Sequence, residues 1–430
     1  MALTRRAVLL AALAIVPAAV LSSYGAVLIT LLLLLACVVA DVALAGPVSS
    51  LQVTRSGATA CRLGDSADVT LTLANTGSRR ARGQLRDAWV PSAAATPRTH
   101  PFDLPPGERQ RLVTTLRPTR RGDRRPDRVT VRSVGPLGVA ARQGTHAVPW
   151  RVRVQPPFGA RRFLPERLAR LRQLDGQLTA RVRGQGTEFD SLRDYVAGDD
   201  VRSIDWRATA RRRDVVVRTW RPERDRRLLL VLDTGRTSAG RVGDVPRLDV
   251  SLDAALLLAA LAGRAGDRVD LLAVDREMRA AVVGAGREEV LARMVDAMAT
   301  LEPALRESDG RLLVSEVLRR ATRRCLVVLF TSLDPAPLEE GLLPVLGALT
   351  ARHTVVLASV GDPRVEELAR GRGDAESVYG AAAAEAAKAG RTRVTALLRG
   401  RGVEVVDAPP ETFAPAVADA YLALKAAGRL

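Results

Sequence analysis

Two charge-free apolar runs near the N-terminus limit this chain more than anything that follows them. Residues 7–21 are uninterrupted apolar positions containing Pro17, and after Ser22, Ser23, Tyr24 and Gly25 a second run covers 26–40 without a charge until Asp41. Each is slightly short of the ~20 residues that a spanning helix prefers, but Tyr24 and the serines extend both toward an interface. Two such runs joined by a tiny turn predict a transmembrane helical hairpin over residues 1–45, with helices at about 7–22 and 24–40. A secretory signal peptide cleaved near Ala43-Leu44-Ala45 is the rival reading. Such peptides carry one apolar core within about 15–30 residues, not two. Arg5 and Arg6 precede the hairpin, Arg55 and Arg62 follow it, and the turn has no positive charge. The positive-inside rule then predicts an inner (plasma) membrane protein with two spans and both termini cytoplasmic.

From 51 to 154 the pattern changes to short alternating runs, such as Asp68-Val-Thr-Leu-Thr-Leu, Arg111-Leu-Val-Thr-Thr-Leu and Arg128-Val-Thr-Val-Arg. Asn75-Thr-Gly77, Pro105-Pro-Gly107 and Gly135-Pro-Leu-Gly138 punctuate them. Period-2 strands between such turns predict a small β-sandwich over 48–156, closed by Pro156 and Pro157 as a hinge. Nothing in it has the spacing of a catalytic or metal site, so a spacer role is expected.

Residues 157–227 come next: a helix over 163–179, with Leu164, Leu168, Leu171, Leu174 and Leu178 near one face, then an irregular, charge-dense stretch over 184–218. In that stretch Phe189, Leu192, Tyr195, Val201, Ile204 and Trp206 sit without helical period among Gly, Asp and Arg, so a structured loop with short elements is expected. From 228 to 430 strands and helices alternate. Strands are expected at 228–232, 269–274, 281–283, 326–330, 355–360 and 403–406, and helices at 248–265, 288–301, 311–320, 338–350, 375–398 and 411–427. That alternation predicts a doubly wound α/β domain, whose ligands sit beyond the carboxyl ends of its strands.

The formal net charge is +18, from 65 basic and 47 acidic residues, and only Lys388 and Lys425 are lysines. Such an arginine excess speaks to association and solubility rather than fold. With aromatics at 3%, few platforms exist for stacking bases, and nucleic acid is not the expected partner. Cys37, Cys61 and Cys325 are scattered, which supports neither a disulfide framework nor a zinc site and fits a reducing compartment. There is no Gly-x-x-x-x-Gly-Lys-[Ser/Thr] loop for a P-loop ATPase, and His100, His146 and His353 have no nucleophile elbow nearby.

Chemistry is expected at two places. Asp233 ends the first α/β strand and is followed by Thr-Gly-Arg-Thr237, an oxygen-rich loop suited to a hard cation. It resembles the metal-ion-dependent adhesion site of von Willebrand factor type A domains, Asp-x-Ser-x-Ser followed by a distant Thr and a distant Asp. Here Gly235 stands at the first serine, Thr237 at the second, no threonine occupies Arg306-Glu-Ser-Asp-Gly310, and Ser332 stands where the last Asp is expected. A degenerate site of Asp233 and Thr237 remains, with Ser308, Ser332 and Asp334 as further oxygens and Mg²⁺ as the weakly held cation it would take. The bland alternative is that Asp233 caps nearby backbone donors.

The second place is the stretch Gly186-x-Glu188-Phe189, Leu192-Arg193-x-Tyr195, Gly198-Asp199-Asp200-x-Arg202-x-Ile204-Asp205-Trp206 and Ala210-Arg211. Together with Leu-Leu-Leu-Val-Leu-Asp233-Thr-Gly, Gly266-Asp267-Arg268-Val269, Tyr421-Leu-Ala-Leu-Lys425, Pro118-x-Arg120-Arg121-Gly122 and Gly135-Pro136-Leu137-Gly138, it resembles bacterial domain-of-unknown-function family 58, from about residue 51 to the end. The resemblance implies a von Willebrand A-like domain, a membrane hairpin and frequent genomic association with AAA+ ATPases of the MoxR family. It implies no reaction. Physically, Asp199, Asp200 and Asp205 with Arg193, Arg202 and Arg211 predict a partly buried ion-pair network, because bidentate guanidinium–carboxylate contacts fix geometry. Arginine neighbours lower carboxylate pKa values, away from what a base near neutral pH needs. The expectation is therefore a non-enzymatic, membrane-anchored cytoplasmic adaptor working with an AAA+ ATPase in assembly or maturation of other proteins. Its rivals are a metal-dependent hydrolase using Asp233, Asp199 and Asp205, and an arginine-rich binder of anionic lipid or nucleic acid.

Overall fold

The structure, a computed structural model, describes residues 2–13, 24–181, 188–212, 214–221, 226–286 and 288–430. Part of the first expected span, 14–22, and the signature residue Gly186 lie outside them. The chain divides into two compact units, Met1–Pro157 and Phe158–Leu430.

In the first unit, helix α1 (Arg5–Leu13) and helix α2 (Tyr24–Leu44) precede the strands. Val27–Ser50, with a hydropathy of 2.9 and only 11% buried, is long and apolar enough to cross a membrane. The helix does not stop at the first charge. It runs through Asp41 to Leu44, because the carboxylate is fully buried and accepts backbone N–H groups of Leu137 at 2.7 Å, Val139 at 2.6 Å and Ala140 at 2.7 Å. Arginines serve its last carbonyls: Arg142 Nε donates to Val42 O at 2.8 Å and Arg79 Nη1 to Ala43 O at 2.5 Å.

Strands β1 (Leu51–Gly57), β2 (Ala67–Asn75), β3 (Ala81–Trp89), β4 (Thr99–Leu104), β5 (Arg109–Leu116), β6 (Pro126–Val134) and β7 (Ala140–His146) follow. They make two antiparallel sheets: β1-β2-β5, and Ala2–Leu3 leading into β7-β6-β3-β4. Alternation decides the packing. Leu71, Leu73, Leu85, Phe102, Leu112, Val129 and Val131 point into one shared core, as period-2 side chains from two facing sheets must. Arg55, counted above among the positive charges that follow the hairpin, has its side chain buried against Asp87 at 2.5 Å and lies 5.1 Å from the Trp89 ring centre. Burial lowers its pKa against the raising pull of Asp87.

The second unit begins with helix α3 (Leu164–Arg181), then an antiparallel hairpin of β8 (Glu188–Asp194) and β9 (Val216–Arg221) carrying helix α4 (Trp206–Arg212) between its arms. The large sheet is built from β10 (Arg227–Asp233), β11 (Arg268–Val274), β12 (Met278–Val282), β13 (Leu326–Phe330), β14 (Thr354–Val360) and β15 (Glu404–Ala408). Its order is β12-β11-β10-β13-β14-β15, parallel throughout except for the edge strand β12. The continuous apolar run of β10 is explained by burial on both faces. Leu228, Leu230 and Leu232 face helices α5 (Arg247–Arg264), α6 (Val290–Ala299) and α11 (Pro410–Ala426), whereas Leu229 and Val231 face α7 (Gly310–Arg320), α8 (Leu343–Thr350) and α10 (Ala375–Gly400). Helix α9 (Pro363–Ala369) lies before α10 and was not expected, although Asp362 capping Arg364 N at 3.0 Å with Pro363 at the first position is a start signal. The single helix expected over 338–350 is divided into Pro335–Pro337, a wide turn Leu338–Leu342 and α8, because Pro344 can supply no helix-interior N–H.

Candidate functional site

The order of the large sheet grows one way from β10 to β11 and the other way to β13, so the crevice beyond the carboxyl ends of β10 and β13 is the switch point of a doubly wound sheet. A cleft of about 300 Å³ lies there. Its floor is apolar, from Leu313, Leu329, Leu338 and Leu342, and its rim carries Asp233, Thr237, Ser308 and Thr331, with Arg236, Glu307 and Glu340 also lining it.

Asp233 is the most enclosed of the rim groups, at 6% exposure. Its Oδ1 accepts the Gly235 N–H at 2.8 Å and the Ser308 hydroxyl, and its Oδ2 accepts Thr331 Oγ1 at 2.6 Å and Thr237 Oγ1 at 3.5 Å. Burial pushes its carboxyl pKa up, against the lowering effect of Ser308, Thr331 and Gly235, and the nearby Asp275 charge pushes the same way as burial. Asp275 behaves oppositely. Burial would raise it, but Arg279 at 2.7 Å and the N–H groups of Arg276 and Glu277 hold it below the usual carboxylate range.

Gly235 explains one departure from the adhesion-site pattern. A side chain at that position would run into Ser308 Oγ, so the hydroxyl the pattern expects at 235 reaches the carboxylate from 308 instead. Asp233, Thr237 and Ser308 therefore meet. Ser332 and Asp334 face Arg247 Nη1, at 3.4 and 3.5 Å. Thr331, which the pattern did not single out, takes a place on Asp233. As arranged, these donors do not fit a metal ion: one carboxylate is present, its lone pairs are spent on hydroxyl and amide protons, and a guanidinium stands on the second acid. Among the described residues no three His, Cys, Asp or Glu side chains group to hold a cation.

The partly buried ion-pair network expected of the signature stretch is resolved into separate local contacts rather than one network. Arg193 Nη2 meets Asp199 Oδ1 at 2.5 Å with Asp199 Oδ2 accepting Val196 N–H at 2.9 Å, a staple across a turn in which Gly198 has φ +109°. Asp200 accepts Arg202 N–H at 2.9 Å and caps the turn Val201–Ser203. Asp205 caps α4 through the N–H groups of Arg207 and Ala208, both at 3.0 Å, and pairs with Arg218 Nε at 2.8 Å. Arg202 and Arg211 hold no carboxylate among the described residues, and Arg193 and Arg218 are themselves largely exposed. Hydrogen bonds from Arg193 hold Asp199 below the usual carboxylate range, and backbone donors led by Ala208 do the same for Asp205. Neither is poised as a base near neutral pH. What the hairpin presents outward is apolar: Tyr195, Val196, Val201 and Trp206 are exposed. Glu188 lies in β8.

Residues 191–394 match the family model described as protein of unknown function DUF58. The matched span takes in the signature hairpin from Ser191, the cleft and most of α10, which is narrower than the resemblance from residue 51 onward. Uncharacterized proteins of Mycobacterium tuberculosis and Mycobacterium bovis are 30% identical over 196 residues, 45% of this chain. The alignment spans 61% of the length of those relatives. Among solved structures, the CARDB domain of a Pyrococcus furiosus protein, crystallised with di-metal ions, aligns at 18% identity and TM-score 0.19 over 24% of this chain and 86% of its own. An uncharacterized membrane spanning protein from Vibrio fischeri aligns at 15% identity and TM-score 0.15, over 46% of this chain and 96% of its own.

Proposed function

We propose that this protein is a membrane-anchored cytoplasmic adaptor that docks another protein through its α/β unit and carries out no reaction of its own. The observation that supports this reading is the patch on the signature hairpin. Val196, Val201 and Trp206 are 61%, 62% and 69% exposed, in the same stretch of chain as the exposed Arg193, Arg202 and Arg211. Trp and Arg are the side chains from which interface anchors are most often drawn, because they bring large contact area and fixed hydrogen-bond geometry together. A Trp left in water has no folding role to account for its exposure. The cleft beneath Asp233 offers a second contact, with an apolar floor for a side chain and a polar rim to orient it.

Sheet order, the antiparallel edge strand and a hydroxyl-ringed acid at the end of the central strand favour the finer reading of the α/β unit as von Willebrand factor type A-like. The partner implied by the resemblance is an AAA+ ATPase of the MoxR type, acting with this protein in assembly or maturation of others. The anchor in this reading is a two-span hairpin with both termini in the cytoplasm, of which α2 supplies one span.

The experiment is a pull-down of the cognate MoxR-type ATPase on the full chain in detergent, run beside Trp206→Ala. Retention by the intact chain and its loss in the variant is the expected result. A chain that retains no such ATPase, or a variant that retains it undiminished, removes the proposal.

A further inference from the structure

The N-terminal end of α1 and the C-terminal end of α2 meet the β-strands of their unit at one point, the loop 135–140. Thr4 donates through Oγ1 to Gly138 O at 2.6 Å and Val139 O at 2.9 Å, while Asp41 accepts the loop's amides from the other helix. Arginines gather around this point. Arg6 lies over Gly138, Arg79 donates to Ala43 O, Arg82 Nη2 donates to Gly135 O at 3.0 Å and Pro136 O at 2.6 Å, and Arg142 donates to Val42 O. Arg5 stands exposed one residue before Arg6.

None of these guanidiniums pairs with a carboxylate among the described residues. The Asp41 carboxylate is spent on three backbone amides, and Asp103, which feels the Arg82 charge, is already paired with Arg80 at 2.6 Å. Each guanidinium has five N–H donors, so one or two bonds to a carbonyl leave the rest of the fork available. The carbonyl bonds fix where that fork stands. In the same rim Leu3 and Leu137 are 66% and 50% exposed, apolar side chains next to the end of an apolar helix.

We propose that this collar, Arg5, Arg6, Arg79, Arg82 and Arg142 around the exit of α2, binds the phosphate of anionic phospholipid headgroups. It rests on the reading that α2 crosses a membrane. A phosphate diester matches the guanidinium fork in charge and spacing. The collar's height on α2 is the headgroup level if the helix fills the hydrocarbon, and Leu3 and Leu137 then sit at the acyl boundary. Held this way, the membrane fixes the orientation of the strands through Asp41 and the loop 135–140.

The test reconstitutes the full chain into vesicles of phosphatidylcholine alone and of phosphatidylcholine with phosphatidylglycerol. It combines flotation with mass spectrometry of the lipid retained after mild detergent extraction. The expected result is flotation on both vesicles and about tenfold enrichment of phosphatidylglycerol in the retained lipid, since each arginine near the surface adds a several-fold preference for anionic lipid. Arg79→Gln with Arg82→Gln should bring the enrichment close to one. Arg5→Gln with Arg6→Gln, whose side chains hold no hydrogen bond in the described residues, spares the fold and should lose part of it. Flotation without enrichment, or enrichment unchanged in both variants, overturns the collar while leaving the anchor intact. Failure to float on either vesicle overturns both. Loss of the enrichment to excess inorganic phosphate overturns the lipid assignment in favour of a free anion.

Discussion

Lys425 Nζ lies 3.4 Å from Asp267 Oδ1 inside the α/β unit, with the two residues 2% and 4% exposed and the Tyr421 hydroxyl donating to Asp267 Oδ2 at 2.5 Å. This contact ties the last long helix, α11, to the turn that feeds β11. It joins Gly266-Asp267-Arg268-Val269 to Tyr421-Leu-Ala-Leu-Lys425, two motifs whose resemblance to one family had no visible reason while they lay about 150 residues apart in sequence. Burial pushes the Asp267 carboxyl up against the pull of Lys425 and Tyr421.

Removing the ammonium alone leaves that carboxylate buried and uncompensated. Lys425→Met is expected to cost about 3–5 kcal/mol, the usual penalty for breaking a buried pair. Asp267→Asn combined with Lys425→Met should recover at least about 1 kcal/mol of it, because neither charge is then stranded. Urea unfolding of the two singles and the double measures the coupling. Strictly additive losses would mean that the two groups do not act on each other.

Asp41 makes a comparable prediction in the other unit. Its carboxylate satisfies three amides, two of them buried, and each buried donor left orphaned costs about 1–3 kcal/mol, so Asp41→Ala should destabilise by at least about 2 kcal/mol. Asp41→Asn retains one carbonyl oxygen and should fall between. Thermal unfolding of the full chain in detergent, with protease cleavage at 135–140 as the local readout, separates this from global damage.

Much of the α/β unit is legible in the sequence. The strand expected at 326–330 is Leu326–Phe330, and Asp233 is placed at the cleft by strand-end logic alone. What escapes depends on long-range packing. Thr331 stands where the same strand-end logic puts it, after Leu326–Phe330, but its bond to Asp233 and the contact of Arg247 with Ser332 and Asp334 join residues about 85 to 100 apart, and no local pattern announces them. The signature network was misjudged for a related reason: opposite charges close in sequence do not say which of them pair. Asp200 and Asp205 spend themselves as caps on their own turns, as Asp side chains commonly do. Arg55 was read only as a positive charge after the hairpin, and its burial waits on a partner, Asp87, 32 residues on.

The exchange of a hydroxyl between 235 and 308 can be tested by moving it back. Gly235→Ser alone drives a side chain into Ser308 and should cost about 1–3 kcal/mol, as overpacking does. Ser308→Gly alone removes one donor from Asp233, at about 1 kcal/mol. The double variant should be more stable than the sum of the singles predicts, by about 1 kcal/mol or more. Equal and additive losses in a denaturant series would show that the two positions are independent.

Asp233 also gives a pH signature with a definite sign. Its folded pKa is raised above the ordinary value of 3.8, chiefly by burial, so the native state holds its proton where the unfolded chain has released it. In that window the unfolded state binds fewer protons, and stability falls as pH rises from about the ordinary carboxylate value through the raised one. Asp123 opposes this: its bond from Arg153 holds it low, and its contribution is lost as pH falls. The total profile therefore mixes both signs, and the informative quantity is a difference. Intact chain minus Asp233→Asn, followed by urea midpoint from pH 3 to pH 8, should decline with rising pH above about 3.8 and level off once the folded carboxyl has ionised. A flat difference would mean that Asp233 titrates as it does in water. A rising one would mean that the hydroxyl ring, not burial, dominates its charge.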